Sequence, residues 1–98
     1  MSKPSVAVLG LGIMGGGMAS RLLSAGFPVS VYNRNAEKAA PFAKNGAFAA
    51  STPREAAGRA DIVIGMVADD AASRSIWLGE DGALAGAVRG SVLVESST

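Results

Sequence analysis

Three glycines near the start of the chain have the spacing of a phosphate-binding turn. Gly10, Gly12 and Gly15 form the pattern G-x-G-x-x-G between a short apolar run and a stretch with helical spacing. In that context the first glycine permits a tight turn, the second lets the backbone approach a pyrophosphate, and the third lets a helix pack closely on a strand. The alternative is a purely structural turn. The pattern predicts that a dinucleotide binds at Gly10, Leu11, Gly12, Ile13, Met14 and Gly15.

The residues after the second predicted strand indicate which dinucleotide is bound. A site for NAD usually has a carboxylate here that binds the adenosine 2′-hydroxyl. This chain instead has Asn33 and Arg34, with no carboxylate before Glu37. A carboxylate would repel a 2′-phosphate, whereas a guanidinium binds it through two parallel hydrogen bonds. Asn33 and Arg34 therefore predict NADP as the cofactor, NAD being less favoured, with Lys38 as a second candidate cation; the alternative is a solvated arginine on a surface turn.

Composition excludes several other kinds of site. The chain has 98 residues with no Cys and no His, which rules out a cysteine nucleophile, a histidine base and a Cys/His metal centre within it, and we expect no metal site. Nine Lys and Arg against eight Asp and Glu give a net charge of +1, which argues against a nucleic-acid partner. The apolar runs are too short to span a membrane and no signal peptide is evident, so we expect a cytoplasmic protein.

Strand-like and helix-like segments alternate along the chain. Strands are predicted at residues 6–9, 29–32, 47–49, 62–67 and 91–94. Helices are predicted at residues 13–23, from an Asn35 cap to about 44, from a capping box at 52–55, from residue 69 or 70 to about 78, and at 83–88. Such alternation requires crossover connections and a parallel sheet with helices on both faces. The predicted fold class is α/β, a Rossmann-type doubly wound parallel sheet, with residues 1–98 forming an NADP-binding domain.

Six short segments share the order and spacing of one known family. They are residues 10–15 (GLGIMG), 31–34 (VYNR), 46–47 (GA), 55–57 (EAA), 60–64 (ADIVI) and 95–98 (ESST). Together they resemble the β-hydroxyacid dehydrogenases, which include 3-hydroxyisobutyrate dehydrogenase, tartronate semialdehyde reductase, glyoxylate and succinic semialdehyde reductases and, more distantly, 6-phosphogluconate dehydrogenase. The resemblance implies an NADP-dependent oxidoreductase that transfers hydride between the nicotinamide and a small hydroxy acid or its semialdehyde.

The resemblance also implies roles for residues beyond the glycine turn. Ser97 and Thr98 would bind a small-molecule carboxylate substrate through their hydroxyl groups; the alternative is a hydroxyl-rich loop that caps the next helix. The chain departs from the family pattern at Gly17 and at residue 68, where Pro is usual, and at Glu95, where Asp is usual. The further cofactor contacts that the resemblance implies are Met66, Val67, Ala68 and Ser96.

No catalytic residue is expected within this sequence. In the family the general acid/base is a lysine well beyond residue 98, and Lys3, Lys38 and Lys44 do not correspond to it. We therefore expect the chain to be the N-terminal part of a longer, homo-oligomeric enzyme, ending before a sixth strand and a helical C-terminal domain, and to be inactive alone. Two alternatives are an imine reductase and a non-enzymatic NADP-binding sensor or dehydrogenase-like reader.

Overall fold

Strands and helices alternate along the described part of the chain. The computed structural model describes residues 3–11, 13–66, 74, 76–78, 80, 82–87 and 92–95, and within these ranges Arg74, Ile76 and Trp77 are helical. The strands are β1 (Val6–Leu9), β2 (Val29–Tyr32), β3 (Phe48–Ala49), β4 (Ile62–Gly65) and β5 (Val92–Glu95). The α-helices are α1 (Ile13–Ser24), α2 (Ala40–Lys44), α3 (Pro53–Ala57) and α4 (Ala83–Gly86), and a 3₁₀ helix covers Ala36–Lys38.

The strands form one parallel sheet with the order β3-β2-β1-β4-β5. The strand order reverses at β1: the chain moves outward through β2 and β3, then returns to the other side of β1 for β4 and β5. Such a reversal leaves a crevice between β1 and β4 at the carboxyl ends of the strands, where open α/β sheets bind ligands. The predicted doubly wound parallel sheet is confirmed.

The two faces of the sheet carry separate apolar layers because successive strand residues point to opposite sides. Val6 and Val8 of β1 pack with Val29 and Val31 of β2 in one layer, which also includes Ala19 of α1. On the opposite face of the sheet, Ala7 and Leu9 of β1 belong to a second layer. The other buried members of that layer are Ala56, Ala57, Ala60, Val63, Ile76, Trp77 and Ala83. The small alanines let the helices approach the sheet closely, so β1 is covered on both faces.

Glycine ends α1 as its position in the sequence predicts. Gly26 has a φ of +88°, a left-handed conformation that suits a residue without a Cβ. The N–H of Gly26 donates to the carbonyl of Leu23, and that of Phe27 donates to the carbonyl of Leu22, each at 3.0 Å. The chain therefore turns directly from the helix into β2.

The segment after β2 differs from the single helix that was expected from Asn35 to about Lys44. Asn35 does act as a cap, because its side chain accepts a hydrogen bond from the N–H of Glu37 at 3.0 Å. The cap, however, begins only the 3₁₀ helix, and α2 follows as a separate helix. Pro41 is the reason: within one continuous helix it would lack the N–H that bonds to Glu37, and its ring would collide with that carbonyl.

Other boundaries differ by a few residues from the predicted ones. Strand β4 ends at Gly65, two residues before the predicted end, and α4 ends at Gly86, also two residues early. The cap of α3 is confirmed, since the Glu55 N–H donates to Thr52 Oγ1 at 3.1 Å, but the carboxylate of Glu55 accepts from the N–H of Ser51 at 2.9 Å and does not complete the box at Thr52. Within the described ranges, no helix has the length and apolar character needed to cross a membrane.

Candidate functional site

The glycine turn, residues 10–15, lies at the carboxyl edge of the sheet where the strand order reverses. Hydrogen bonds continue past the ends of the strands on both sides of β1. The Gly10 N–H donates to the carbonyl of Tyr32 at 2.7 Å, and the Met66 N–H donates to the carbonyl of Leu9 at 2.8 Å. The turn is therefore tied to β2 on one side and to the residue after β4 on the other.

Backbone geometry explains two of the three glycines. Gly10 has a φ of +100°, which L residues rarely adopt. A Cβ on Gly15 would overlap the carbonyl oxygen of Gly10 and lie 3.3 Å from the Cβ of Met66. The start of α1 thus lies directly against the end of β1, as predicted for the third glycine of the pattern. Gly12 lies outside the described residues.

The start of α1 suits a phosphate group. Ile13 and Met14 begin this helix of 12 residues, and its first turn contains no acidic residue. The first N–H groups of a helix have no partner within it and carry a partial positive charge, so they bind anions. Gly17 is exposed, and a Cβ there would meet nothing within 4 Å. The glycine turn and the N–H groups at the start of α1, followed by an open position at Gly17, together fit the pyrophosphate of a dinucleotide.

Asn33 connects the end of β2 to the glycine turn. Its Oδ1 accepts a hydrogen bond from the N–H of Leu11 at 2.8 Å, and its Nδ2 donates to the carbonyl of Asn35 at 3.0 Å. Leu11 is buried, and its N–H is used by Asn33. Leu11 and Asn33, two of the predicted site residues, therefore lie together at the candidate site, and the amide of Asn33 is bonded to the protein's own backbone.

Arg34 follows Asn33 and is exposed, as is Lys38 in the 3₁₀ helix. Both cations come after β2, on the same edge of the sheet as the glycine turn. In the described stretch from residue 33 to Lys38, Glu37 is the one acidic residue, and its N–H is bonded to Asn35. This arrangement leaves positive charge beside the position expected for an adenosine ribose.

The remaining predicted site residues are only partly within the described ranges. Met66 is half-buried and packs against the layer that contains α1. Glu95 pairs with Gly65, so β5 ends at the same edge as β4. The other predicted contacts lie outside the described residues: Val67, Ala68, Ser96, Ser97 and Thr98.

Asp61, one of the residues that carry the resemblance, lies at the opposite, amino edge of the sheet. Its carboxylate accepts a hydrogen bond from the N–H of Ser5 at 3.0 Å, and its own N–H donates to the carbonyl of Ser5 at 2.9 Å. These bonds join the residues that precede β1 and β4. The role of Asp61 in this structure is therefore to align the two central strands.

A shallow cleft of about 550 Å³ lies beside α3 and α4, away from the glycine turn. Its two arginines already have partners: the guanidinium of Arg59 lies 3.9 Å from the centre of the Phe48 ring, and Arg54 donates to the carbonyl of Glu80 at 3.2 Å. Nothing in this cleft matches the anion-binding geometry of the turn. We therefore place the candidate site at the carboxyl edge between β1 and β4.

Comparison with known proteins assigns the chain to a family. Residues 5–98 match the family described as the NAD binding domain of 6-phosphogluconate dehydrogenase. The chain belongs to that family. The predicted resemblance to hydroxyacid dehydrogenases is confirmed, and the candidate site coincides with the nucleotide-binding edge that a domain of this kind requires.

Relatives of this NAD-binding domain include proteins with different names. The chain is 45% identical over 93 residues to an uncharacterized oxidoreductase, YfjR, of Bacillus subtilis, covering 95% of the chain and 32% of that protein. It is 43% identical to the cytokine-like nuclear factor N-PAC of Danio rerio, covering 95% of the chain and 20% of that protein. It is 37% identical to the probable mitochondrial 3-hydroxyisobutyrate dehydrogenase-like 3 of Arabidopsis thaliana, covering 99% and 30%.

Solved structures share the fold of the domain over almost its whole length. An imine reductase from Myxococcus stipitatus in complex with NADP+ is 33% identical, with a TM-score of 0.86 over 96% of the chain and 32% of that protein. The V8 variant of that imine reductase in complex with NAD+ is 30% identical, with a TM-score of 0.87 over 97% and 32%. The chain spans about a third or less of the length of these relatives and structures.

Proposed function

We propose that this NAD-binding domain binds NADP and serves an oxidoreductase that transfers hydride between the nicotinamide and a small hydroxy acid or its semialdehyde. One observation carries the cofactor choice: Arg34, and no carboxylate, follows β2 beside the glycine turn. The relative named as a 3-hydroxyisobutyrate dehydrogenase-like protein supports the substrate class. A homo-oligomeric full-length protein is part of the same proposal.

Each part of the site has a separate task in binding the dinucleotide. The N–H groups at the start of α1 hold the pyrophosphate, which is common to NAD and NADP. Arg34 binds the 2′-phosphate that only NADP carries, and Lys38 adds a second positive charge nearby. A guanidinium suits this task because its planar donors match two phosphate oxygens at once.

The nicotinamide supplies the hydride when the cofactor is bound, and the protein orients the reactants and supplies a proton. The sequence has no His and no Cys for the proton transfer. Lys3 lies far from the carboxyl edge, since its ammonium donates to the carbonyl of Ala25 and lies 5.0 Å from the centre of the Phe27 ring. We propose that the proton donor is a lysine beyond residue 98, with Ser97 and Thr98 binding the substrate.

Calorimetric titration of NADP+ and NAD+ tests the cofactor choice. Wild type should bind NADP+ more tightly, and Arg34→Ala should weaken NADP+ by about 10- to 100-fold while leaving NAD+ unchanged, because one charge-assisted contact is lost. Arg21→Ala is the matched control, since Arg21 is an exposed arginine in the last turn of α1. Equal affinity of the wild type for the two nucleotides would refute the assignment.

A second candidate function is imine reduction, which the similarity to the imine reductase structures favours. Both reactions use the same hydride donor, so the nucleotide site does not distinguish them. Turnover by the full-length protein does: semialdehydes and glyoxylate test the first function, and a cyclic imine tests the second. Faster NADPH oxidation with the imine would replace the hydroxyacid proposal.

A third candidate is a non-enzymatic reader of NADP, favoured by the similarity to a protein named as a nuclear factor. A reader would bind NADPH in full-length form without turning over any of these substrates. The 98-residue chain alone gives a reference, because we expect it to have no activity even if it retains weak affinity for NADPH. A missing general acid lowers a rate by about 10²–10⁴. Activity of the chain alone close to that of the full-length protein would contradict this expectation.

A further inference from the structure

Asn33 follows β2 at a position from which it could contact the bound cofactor or hold the glycine turn in place. Leu9 of β1 pairs with Tyr32 of β2, so Gly10 and Asn33, the residues that follow the two parallel strands, lie next to each other. At this point the N–H of Leu11 donates to Asn33 Oδ1 at 2.8 Å. This bond spans 22 residues of sequence and joins the glycine turn to the segment that carries Arg34.

The other end of the Asn33 amide is also bonded. Nδ2 donates to the carbonyl of Asn35 at 3.0 Å, and Asn35 Oδ1 in turn accepts from the N–H of Glu37 at 3.0 Å. If the amide were rotated by 180°, Nδ2 would face the Leu11 N–H and Oδ1 would face the Asn35 carbonyl, and neither pair could form a hydrogen bond. The two bonds therefore determine the orientation of the amide. A chain of three hydrogen bonds therefore extends from the glycine turn to the 3₁₀ helix.

The bond at Leu11 acts on the backbone that receives the phosphates. Leu11 is 6% exposed, and its N–H follows directly after Gly10, whose φ of +100° reverses the chain. Without Asn33 this N–H would lose its partner beside the start of α1, and the turn would have to rearrange to satisfy it. The conformation of the glycine turn thus depends on the side chain that directly follows β2.

We propose that Asn33 is a positioning residue: it holds the glycine turn in the form that binds the pyrophosphate and does not itself distinguish NADP from NAD. This role rests on the proposed nucleotide-binding function. Affinity for both nucleotides then depends on Asn33, whereas the choice between them depends on Arg34. These are separable properties of two adjacent residues.

The asparagine amide can accept from the Leu11 N–H and donate to the Asn35 carbonyl without carrying a charge. Aspartate at this position would still accept the Leu11 N–H, but it would set an oxygen against the Asn35 carbonyl and place a negative charge beside Arg34. Serine is too short to bridge both groups. Asparagine therefore retains the acceptor that the glycine turn needs and remains compatible with a 2′-phosphate.

Nucleotide titrations of wild type, Asn33→Ala, Asn33→Asp and Arg34→Ala test the proposal. Asn33→Ala should weaken NADP+ and NAD+ alike, by about tenfold each, because one hydrogen bond to the turn is lost. Asn33→Asp should keep NAD+ affinity within about threefold of wild type and weaken NADP+ by more than about tenfold, since it keeps the acceptor and adds a charge. Arg34→Ala should change only NADP+.

Two further results distinguish the possible failures. If Asn33→Ala weakens NADP+ alone, Asn33 contacts the 2′-phosphate directly and the positioning role is overturned while the nucleotide site stands. If the wild type binds neither nucleotide, the proposed function fails and this role fails with it. Circular dichroism of each variant confirms that it is folded.

Amide hydrogen exchange measures the link itself in the protein without nucleotide. The Leu11 N–H should exchange faster in Asn33→Ala than in wild type, and it should remain protected in Asn33→Asp and in Arg34→Ala. Unchanged protection of Leu11 in Asn33→Ala would overturn the proposal, whatever the titrations give.

Discussion

Strands β1 and β5 have similar sequences and opposite surroundings. All four residues of β1, VAVL, are buried, with exposed fractions of 0–3%. In β5, VLVE, Val92 is 55% exposed, Leu93 40% and Val94 41%. The difference comes from place in the sheet, because β1 pairs with β2 and β4 under both apolar layers, whereas β5 pairs with β4. The glycine turn is attached to the end of the fully covered strand, which gives it a rigid support.

The strongest test of this contrast places a charge on each strand. Val8→Asp should destabilise the fold by about 4 kcal/mol or more, because an unpaired carboxylate would be buried in the layer beneath α1. Val94→Asp is the matched control and should cost less than about 1 kcal/mol, since Val94 is 41% exposed. Chemical denaturation of both variants gives the two free energies of unfolding. Equal effects would mean that β5 is as well covered as β1.

Truncating a leucine on each strand should repeat the contrast at smaller amplitude. Leu9 is fully buried, so Leu9→Ala should lower the free energy of unfolding by about 3 kcal/mol through lost contacts and a cavity. Leu93→Ala should lower it by about 1 kcal/mol, because part of that side chain already contacts water. Thermal melts monitored by circular dichroism would measure both, and a larger effect at Leu93 would contradict the burial described above.

Added methyl groups at the carboxyl edge test how rigid each neighbourhood is. Gly15→Ala should destabilise the fold by about 2–3 kcal/mol and weaken nucleotide binding, because the new Cβ would overlap the backbone of Gly10. At Gly65, beside β5, a Cβ would lie 2.8 Å from Trp77 Cζ2. This approach to a buried side chain is less close than the overlap with backbone at Gly15, so Gly65→Ala should have a smaller effect on both measurements. A greater loss of binding in Gly65→Ala would mean that the close contact at Gly15 is not what shapes the turn.

The smallest expected effect is a stabilisation, at Gly17, where the close packing of α1 against the end of β1 no longer applies. A Cβ at Gly17 would meet nothing within 4 Å, so Gly17→Ala should stabilise the domain by about 0.5–1 kcal/mol through helix propensity. Urea denaturation gives the value. Weaker nucleotide binding in a stabilised Gly17→Ala protein would indicate that the ligand approaches this residue closely.

Local signals predicted those parts of the fold that depend on adjacent residues. The bounds of β1 and β2 were predicted to the residue, and α1 to within one, because apolar runs, glycines and helical spacing mark them directly. The same signals overlooked the effect of Pro41 on the helix after Asn35. They predicted both β1 and β5 as strands but not the exposure of β5, since an apolar run does not determine how many neighbouring strands it has.

The residues of the candidate site were named from sequence patterns, and their binding of a nucleotide stays a prediction. Their contacts within the protein were predicted only in part. The glycine pattern and Arg34 could be found because their spacing along the chain is characteristic. The hydrogen bond from Leu11 to Asn33 could not, because it exists only after β1 and β2 have paired. Asn33 was expected to contact the cofactor, and its bonding to the backbone of the turn gives it a second role that spacing does not reveal.

Trp77 is a fluorescent probe of the apolar layer that contains Ala7, Leu9 and Val63. It is the chain's one tryptophan, it is 8% exposed, and its indole Nε1 finds no hydrogen-bond partner among the residues that the structure describes. An indole in such surroundings emits at shorter wavelength than one in water, so unfolding of this layer should shift the fluorescence to the red. Trp77 lies against Gly65 at the edge of the sheet that carries the candidate site. Because reduced nicotinamide absorbs where indole emits, energy transfer would report the binding of NADPH there without any added label.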